Sequence, residues 1–404
     1  MTTLPTPARP SPARHARDTP RLGGPWHGAD APSTDPGPVY RQAAAQSRVA
    51  TMTRSAAARL RSNEQEDGKA MKLPTPRGPI SGDLFEALRR HPGPMPAGMT
   101  KLTAAEEGDS RVSEDIQITL FACYALHYDG FSDVDDRWEW CPPLLALRAE
   151  LEHLFERDLV ASIPALEPVA ARNLPSHLLD WASPTHGSAL DSYAHKQATL
   201  DQFRELIIHR SIKNLREGDQ HTWAIPRLTG RAKSALVTIQ ADEYGGGRPG
   251  WMHAELYAQL MRELDLDPDY GAYIERIPAL SVAAVNVMSL FGLHRRWRGA
   301  QLGNLAVIEI GSSVANRRYS EGLARVGASP RARAFYDEHI EADAVHEQIA
   351  AHDMCGGFAA QHPAELDRVL FGARSTMTLR GEYGAAVLEA WGRGASSLRP
   401  ASAA

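Results

Sequence analysis

The chain has 404 residues, 43% hydrophobic and 23% charged, with a formal net charge of −5, a composition that excludes fibrous and wholly unfolded classes. Its three cysteines, Cys123, Cys141 and Cys355, are far apart and odd in number. That spacing offers neither a disulfide framework nor a CxxC metal site and suits a reducing cytoplasm. No basic patch with interleaved aromatics, no apolar secretory leader and no clean membrane-length run can be read, so neither nucleic acid nor a membrane is an expected partner.

Residues 1–78 are rich in Pro, Ala, Arg and Ser and carry 12 Lys+Arg against 6 Asp+Glu, a +6 tail on a −11 remainder. With no periodic apolar pattern, this segment has too little surface to bury against its chain entropy and is predicted to be disordered. Residues 79–190 read as an N-terminal helical lead-in. Asp83 to Arg90 forms a short amphipathic helix, ended by His91-Pro92-Gly93-Pro94, and Glu114 to His127 a stronger one with Ile116, Leu120 and Tyr124 inward. The acidic loop Tyr128 to Asp136 lacks EF-hand spacing and a closing Glu, so it reads as a turn. Trp138 and Trp140 precede a helix running through Leu145 to Phe155; they either pack helices together or wall a pocket. Asn173 to Asp191 is broken by Pro and Ser and is expected to link this lead-in to the next domain.

Residues 191–395 read as one helical bundle, followed by a short tail at 396–404. Tyr193 to Glu217 has the spacing of a single long amphipathic helix; Glu217 ends it, and a terminal Glu is ordinarily just solvated. Thr229 to Glu243 and Trp251 to Leu264 are helices joined by Tyr244-Gly-Gly-Gly-Arg-Pro-Gly250. With no Lys-Ser/Thr and no preceding strand, those glycines make a sharp connection rather than a nucleotide loop, which would bring Glu243 beside His253. Ile277 to Leu293 is apolar but interrupted by Pro278, Ser281, Asn286 and Ser289, so it reads as a buried core helix. Leu302 to Ser313 sets Glu309 among Leu305, Ala306, Val307, Ile308 and Ile310, an unlikely surface for a carboxylate. Arg317 and Arg318 beyond it are either solvated or anchors for a substrate carboxylate.

The stretch Ser329 to Gly356 organises the rest. Ser329 is a good N-cap, Pro330 suits the first turn, and Gly356-Gly357 is expected to stop the helix. Phe335, His339, Ala342, Asp343, His346 and Ile349 share one face, opposite Glu338, Glu341 and Glu347. The middle of a face that should be buried therefore holds His, Asp and His at i, i+4 and i+7. Ionisable groups buried without partners cost several kcal/mol each, so such a stripe is either paired, solvated or bound to a metal. His294, His352 and Asp353 are candidates only for support around it.

Glu217, Glu243, His253, Glu309, His339, Asp343 and His346 together make three imidazoles and four carboxylates. This hard-to-borderline set suits two iron ions, with manganese second, and four carboxylates would neutralise two divalent cations. A structural zinc would want four ligands and usually Cys.

The stretch Asp242-Glu-Tyr-Gly-Gly-Gly through His253-Ala-Glu-Leu-Tyr257, the helix with Glu309, and His339-x3-Asp343-x2-His346 resemble the haem-oxygenase-like diiron oxidases, the iron-containing redox enzymes. The resemblance covers roughly residues 80–395, most specifically 217–358. It implies an all-α, haem-oxygenase-like bundle in which Glu217, His253, Glu309, His339, Asp343 and His346 hold two Fe(II) ions, with Glu243 as the additional carboxylate of some members. Many members carry Glu three residues before the His of the second core helix; here that position is Gly250, so Glu243 takes over or one iron is held loosely. The implied activity is O2-dependent oxidation of a small organic substrate, an amine- or carboxylate-bearing metabolite, leaving room for an external electron donor and a homodimer. A metal-free enzyme of the same fold and a metabolite-binding helical protein are the competing classes.

Overall fold

Every regular element among the described residues is a helix, as the 3.6-residue apolar spacing requires. The computed structural model describes residues 71–96, 108–182 and 188–400. The disorder expected for residues 1–70 and the last four residues of the C-terminal tail lie outside that range.

The lead-in supplies α1 (Pro79–Leu88), α2 (Glu114–Ala125), α3 (Pro142–Ser162) and α4 (Leu174–Trp181). Ser113 caps α2, its side chain accepting from the Ile116 amide. Residues 71–78, which the sequence assigns to the tail, are packed instead. Met71 and Leu73 are buried, and Arg77 donates to Glu114 Oε2 at 2.6 Å and the Ile277 carbonyl at 2.9 Å. A few apolar side chains and one buried guanidinium with three acceptors suffice to hold a segment whose composition alone argues for disorder. The expected linker after Asn173 likewise contains α4, because Leu174 and Leu178 are fully buried.

The bundle continues with α5 (Ala189–Lys196), α6 (Leu200–Asn214), α7 (Asp219–Thr222), α8 (Gly230–Glu243), α9 (His253–Glu263), α10 (Ala279–Leu293), α11 (Arg298–Glu309), α12 (Ser312–Arg325), α13 (Pro330–Gln348), α14 (Gly357–Gln361) and α15 (Leu366–Gly392). Two expectations fail locally. The single helix over 193–217 is broken in two, because Thr199 starts α6 with a reciprocal cap: its Oγ accepts from the Gln202 amide at 3.2 Å, and Gln202 Oε1 accepts from the Thr199 amide at 3.0 Å. Gly356-Gly357 does not stop a helix either. A π turn, Ile349–Gly356, carries the chain from α13 into α14. Both glycines sit where a Cβ would press on Pro175 or on Arg231 and the Ala232 amide, so they serve close packing.

Three apolar clusters form the core, one around α1–α3 and α10, one around α4, α8, α11 and the π turn, and one around α6, α9, α12 and α13. α10 is central, packed on α2, α11 and α15; its buried Asn286 donates through Nδ2 to the Gln117 carbonyl at 2.8 Å. The α11–α15 crossing is the most extensive helix pair, and it is closed by glycines. A Cβ on Gly303 would lie 1.9 Å from the Val369 carbonyl oxygen, and one on Gly372 1.9 Å from that of Ala300. Among the described residues no helix is long and apolar enough to cross a membrane.

Candidate metal centre

α13 is the spine of the site. Ser329 accepts from the Ala332 amide at 3.1 Å and Pro330 sets the first turn, so three turns later the His-Asp-His stripe faces inward. His339, Asp343 and His346 are 7%, 2% and 1% exposed. Glu309, ending α11, and Glu243, ending α8, are buried, as is His253 in the first turn of α9. Glu217 lies in the turn before α7 with its side chain 11% exposed.

All seven sequence-predicted residues fall into two groups that share α13. One ligand atom each from Glu217, Glu243, His253 and His339 lie within 4.8 Å of one another; the same holds for Glu309, Asp343 and His346. The glycine connection does place Glu243 beside His253, with Oε2 2.9 Å from Nδ1. Gly245, Gly246 and Gly247 all have positive φ, between 60° and 74°, which is why three glycines are needed there. Gly250 faces open space, so Glu243 is the carboxylate at this histidine.

The ring nitrogens divide their roles. His339 Nδ1 donates to the Phe335 carbonyl at 2.7 Å, which leaves Nε2 bare toward Glu217 Oε2 at 3.6 Å. His346 Nε2 contacts Asp242 Oδ2 at 2.9 Å, and its Nδ1 faces Glu309 Oε2 at 3.3 Å and Asp343 Oδ1 at 3.7 Å. Each imidazole is oriented through one nitrogen and presents the other to carboxylates, the arrangement of metal-ligating histidines. Glu217 Oε2 and His346 Nδ1 are buried and have no hydrogen-bond partner. Buried polar atoms are rarely left so.

Charge is concentrated here. Burial, reinforced by the Asp343 and Glu243 carboxylates, pushes Glu309 up to about 8. Burial opposes the His346 cation, but Asp343, Glu309 and Asp242 prevail and raise it to about 11. Glu243 and His253 shift as a pair against burial, the acid down to about 2 and the imidazole up to about 9, because each stabilises the other's charge. Four acids in so small a volume seek positive charge.

Sequence reasoning missed the supporting groups. Asp242 orients His346; Ser312 donates to Asp343 Oδ2, and Asn316 does so at 3.3 Å. Lys213 donates to Glu217 Oε1 at 2.9 Å, and only this i, i+4 pair carried a readable signal. The nominated supporters sit elsewhere: His294 pairs with Glu152 at 2.9 Å, Asp353 pairs with Arg231, and His352 is exposed. Arg318 is held by the buried Asp191 at 3.0 Å and Arg317 is exposed. Trp138 is buried and donates to the Arg90 carbonyl at 3.0 Å, a packing role, whereas Trp140 is exposed.

The all-helical body carries two carboxylate–histidine groups on one spine, a donor set that suits iron. Residues 204–381 match the family model for iron-containing redox enzymes, and all seven groups lie inside that match. Through that stretch the chain is similar to the iron-containing redox enzyme family, which supports a haem-oxygenase-like helical fold and, in general terms, an iron-dependent oxidoreductase. No curated protein matches the chain.

Proposed function

We propose that this protein is a non-haem diiron oxidase or oxygenase that uses O2 to oxidise a small organic metabolite. The observation that carries the reading is the pair of unsatisfied buried atoms, His346 Nδ1 and Glu217 Oε2, each aimed into its own group of ligands. Glu217, Glu243, His253 and His339 would hold one iron, and Glu309, Asp343 and His346 the other. The donor set suits iron in both places: imidazole with carboxylate, and no thiolate, since the three cysteines are buried elsewhere in the apolar core.

When bound, the two Fe(II) ions supply electrons to O2, chemistry for which the side chains here have no equivalent. The protein's own part is positional. Phe335 and Asp242 fix the ring orientations of His339 and His346, Ser312 and Asn316 hold Asp343, and Lys213 steadies Glu217. Helices α8, α9, α11 and α13 exclude bulk water from the seven ligands. An external electron donor would restore the reduced state after turnover.

Anaerobic Fe(II) titration with metal analysis tests this. Saturation near two irons per chain is expected, and mixing that form with O2 should give a transient visible absorbance. A stoichiometry near zero would leave the metal-free readings in place.

A further inference from the structure

α8 turns Leu236, Ile239 and Glu243 to the interior, and its outer side carries a surface groove of about 590 Å³. The walls of that groove come from α8 alone, between Gly230 and Asp242. Lys233, Ser234, Val237, Thr238, Ala241 and Asp242 repeat every three or four residues and so share one helix face. The four in the middle are small and exposed. Thr238 turns its hydroxyl back to the Ser234 carbonyl at 3.1 Å, so covering it strands no polar group. A shallow channel between the side-chain rows of one helix is the shape that a second helix packs into.

Two further observations point to the occupant. Exposed large apolar side chains gather here: Val237 lies on the face itself, 44% exposed, and Trp251 and Val345, 48% and 59% exposed, lie at its C-terminal end. The Trp251 backbone abuts Gly245, and Val345 precedes His346, whose ring contacts Asp242. Trp251 also lies under the Arg248 guanidinium at 4.6 Å, a pairing frequent at protein interfaces. The charges on the face are the second observation. Lys233 stands toward one end and Asp242, its side chain 55% exposed, at the other. A two-fold axis between Val237 and Thr238 sets Lys233 against Asp242 of the partner subunit, Ser234 against Ala241 and Val237 against Thr238. The six positions map onto themselves, as an isologous contact requires. Parallel helices would instead oppose lysine to lysine and aspartate to aspartate, which is repulsive.

We propose that two copies of this chain associate in solution through antiparallel α8 helices, with Lys233 of each on Asp242 of the other. The contact reaches the candidate metal centre, because Asp242 is the carboxylate that orients His346. Each copy thus covers the outer side of the other's ligand support. One pair of helices about 21 Å long covers less than the roughly 800 Å² per partner of a standard interface, so a micromolar Kd is expected.

Sedimentation velocity of the full chain, from submicromolar to submillimolar concentration, should show a monomer–dimer equilibrium. Lys233→Glu opposes two acids at each end of the contact, and Asp242→Lys opposes two lysines, so each alone should weaken association at least tenfold. Mixed in equal amounts, the two variants should form a heterodimer of about the original affinity, since opposite charges then meet at both ends. Only an antiparallel contact in this register gives that rescue. Val237→Arg, beside the axis and exposed in the monomer, should weaken association at least tenfold with an unchanged melting temperature. With Lys233→Glu it decides the matter even if Asp242→Lys does not fold. A chain that stays monomeric throughout, a dimer that Lys233→Glu and Val237→Arg leave intact, or two folded charge variants that stay monomeric when mixed would overturn the proposal. None of these outcomes depends on iron, so the oxidase reading stands or falls separately.

Discussion

His346 carries more of the site than any other residue. Its Nε2 is engaged by Asp242 and its Nδ1 is surrounded by Glu309 and Asp343, so truncation removes a ligand and leaves two buried carboxylates closer to each other's charge. His346→Ala should drop anaerobic iron loading from about two per chain to one or fewer while the circular dichroism of the bundle is retained. His294→Ala, at the separate Glu152 pair, should leave loading unchanged. Full loading of His346→Ala would refute the ligand assignment. The His-Asp-His stripe was legible because a helix repeats every 3.6 residues and three ionisable groups fell on the apolar side. Glu217 was nearly illegible, since a turn residue next to a helix end has no periodic signal and acquires its meaning from His339 across the bundle.

At the scale of elements, the α11–α15 crossing is where the backbone itself does the packing. Gly303 and Gly372 each face a carbonyl of the opposite helix, so neither helix can accept a Cβ without moving apart. Gly303→Ala should destabilise the protein by roughly 1–3 kcal/mol, as overpacking does, seen as a lower urea midpoint at an unchanged slope. A midpoint equal to that of the unsubstituted chain would show that the crossing relaxes freely. The same displacement would move Glu309, at the end of α11, so iron affinity should fall along with stability. Glycines in a helical pattern read from sequence as weak points or stops, and the stop expected at Gly356-Gly357 was wrong for that reason. The π turn directly after α13 has no sequence signature that separates it from an α-helical continuation.

At the scale of the molecule, two buried histidines outside the ligand set couple folding to pH. Burial holds His209 down to about 3 and His221 to about 4. His209 is engaged by Ser281 at 2.9 Å and Ser397 at 3.0 Å, and His221 by Asn304 at 2.8 Å. A pKa depressed by folding contributes stability above the unfolded value, about 6.5, which is lost as pH falls toward the folded one. Unfolding free energy should therefore decline between pH 6.5 and 4 with a term of about 1.4 kcal/mol per pH unit from each histidine. His221→Gln should remove one such term from urea-denaturation slopes, and an unaltered slope would contradict the assignment. His209 also ties the segment around Ser397 to the core, so residues 396–400, expected as tail, are docked; Arg399 donates its amide to the Arg276 carbonyl at 2.8 Å.

The order of residues along the chain was enough to specify an all-helical body, the buried face of α13 and the identity of seven candidate ligands, because helical periodicity and the cost of burying charge are local facts. Only tertiary packing decided that those seven divide four and three and that Asp242 and Ser312 orient His346 and Asp343. Such relations join residues a hundred or more positions apart, and no local pattern encodes a distance across a bundle.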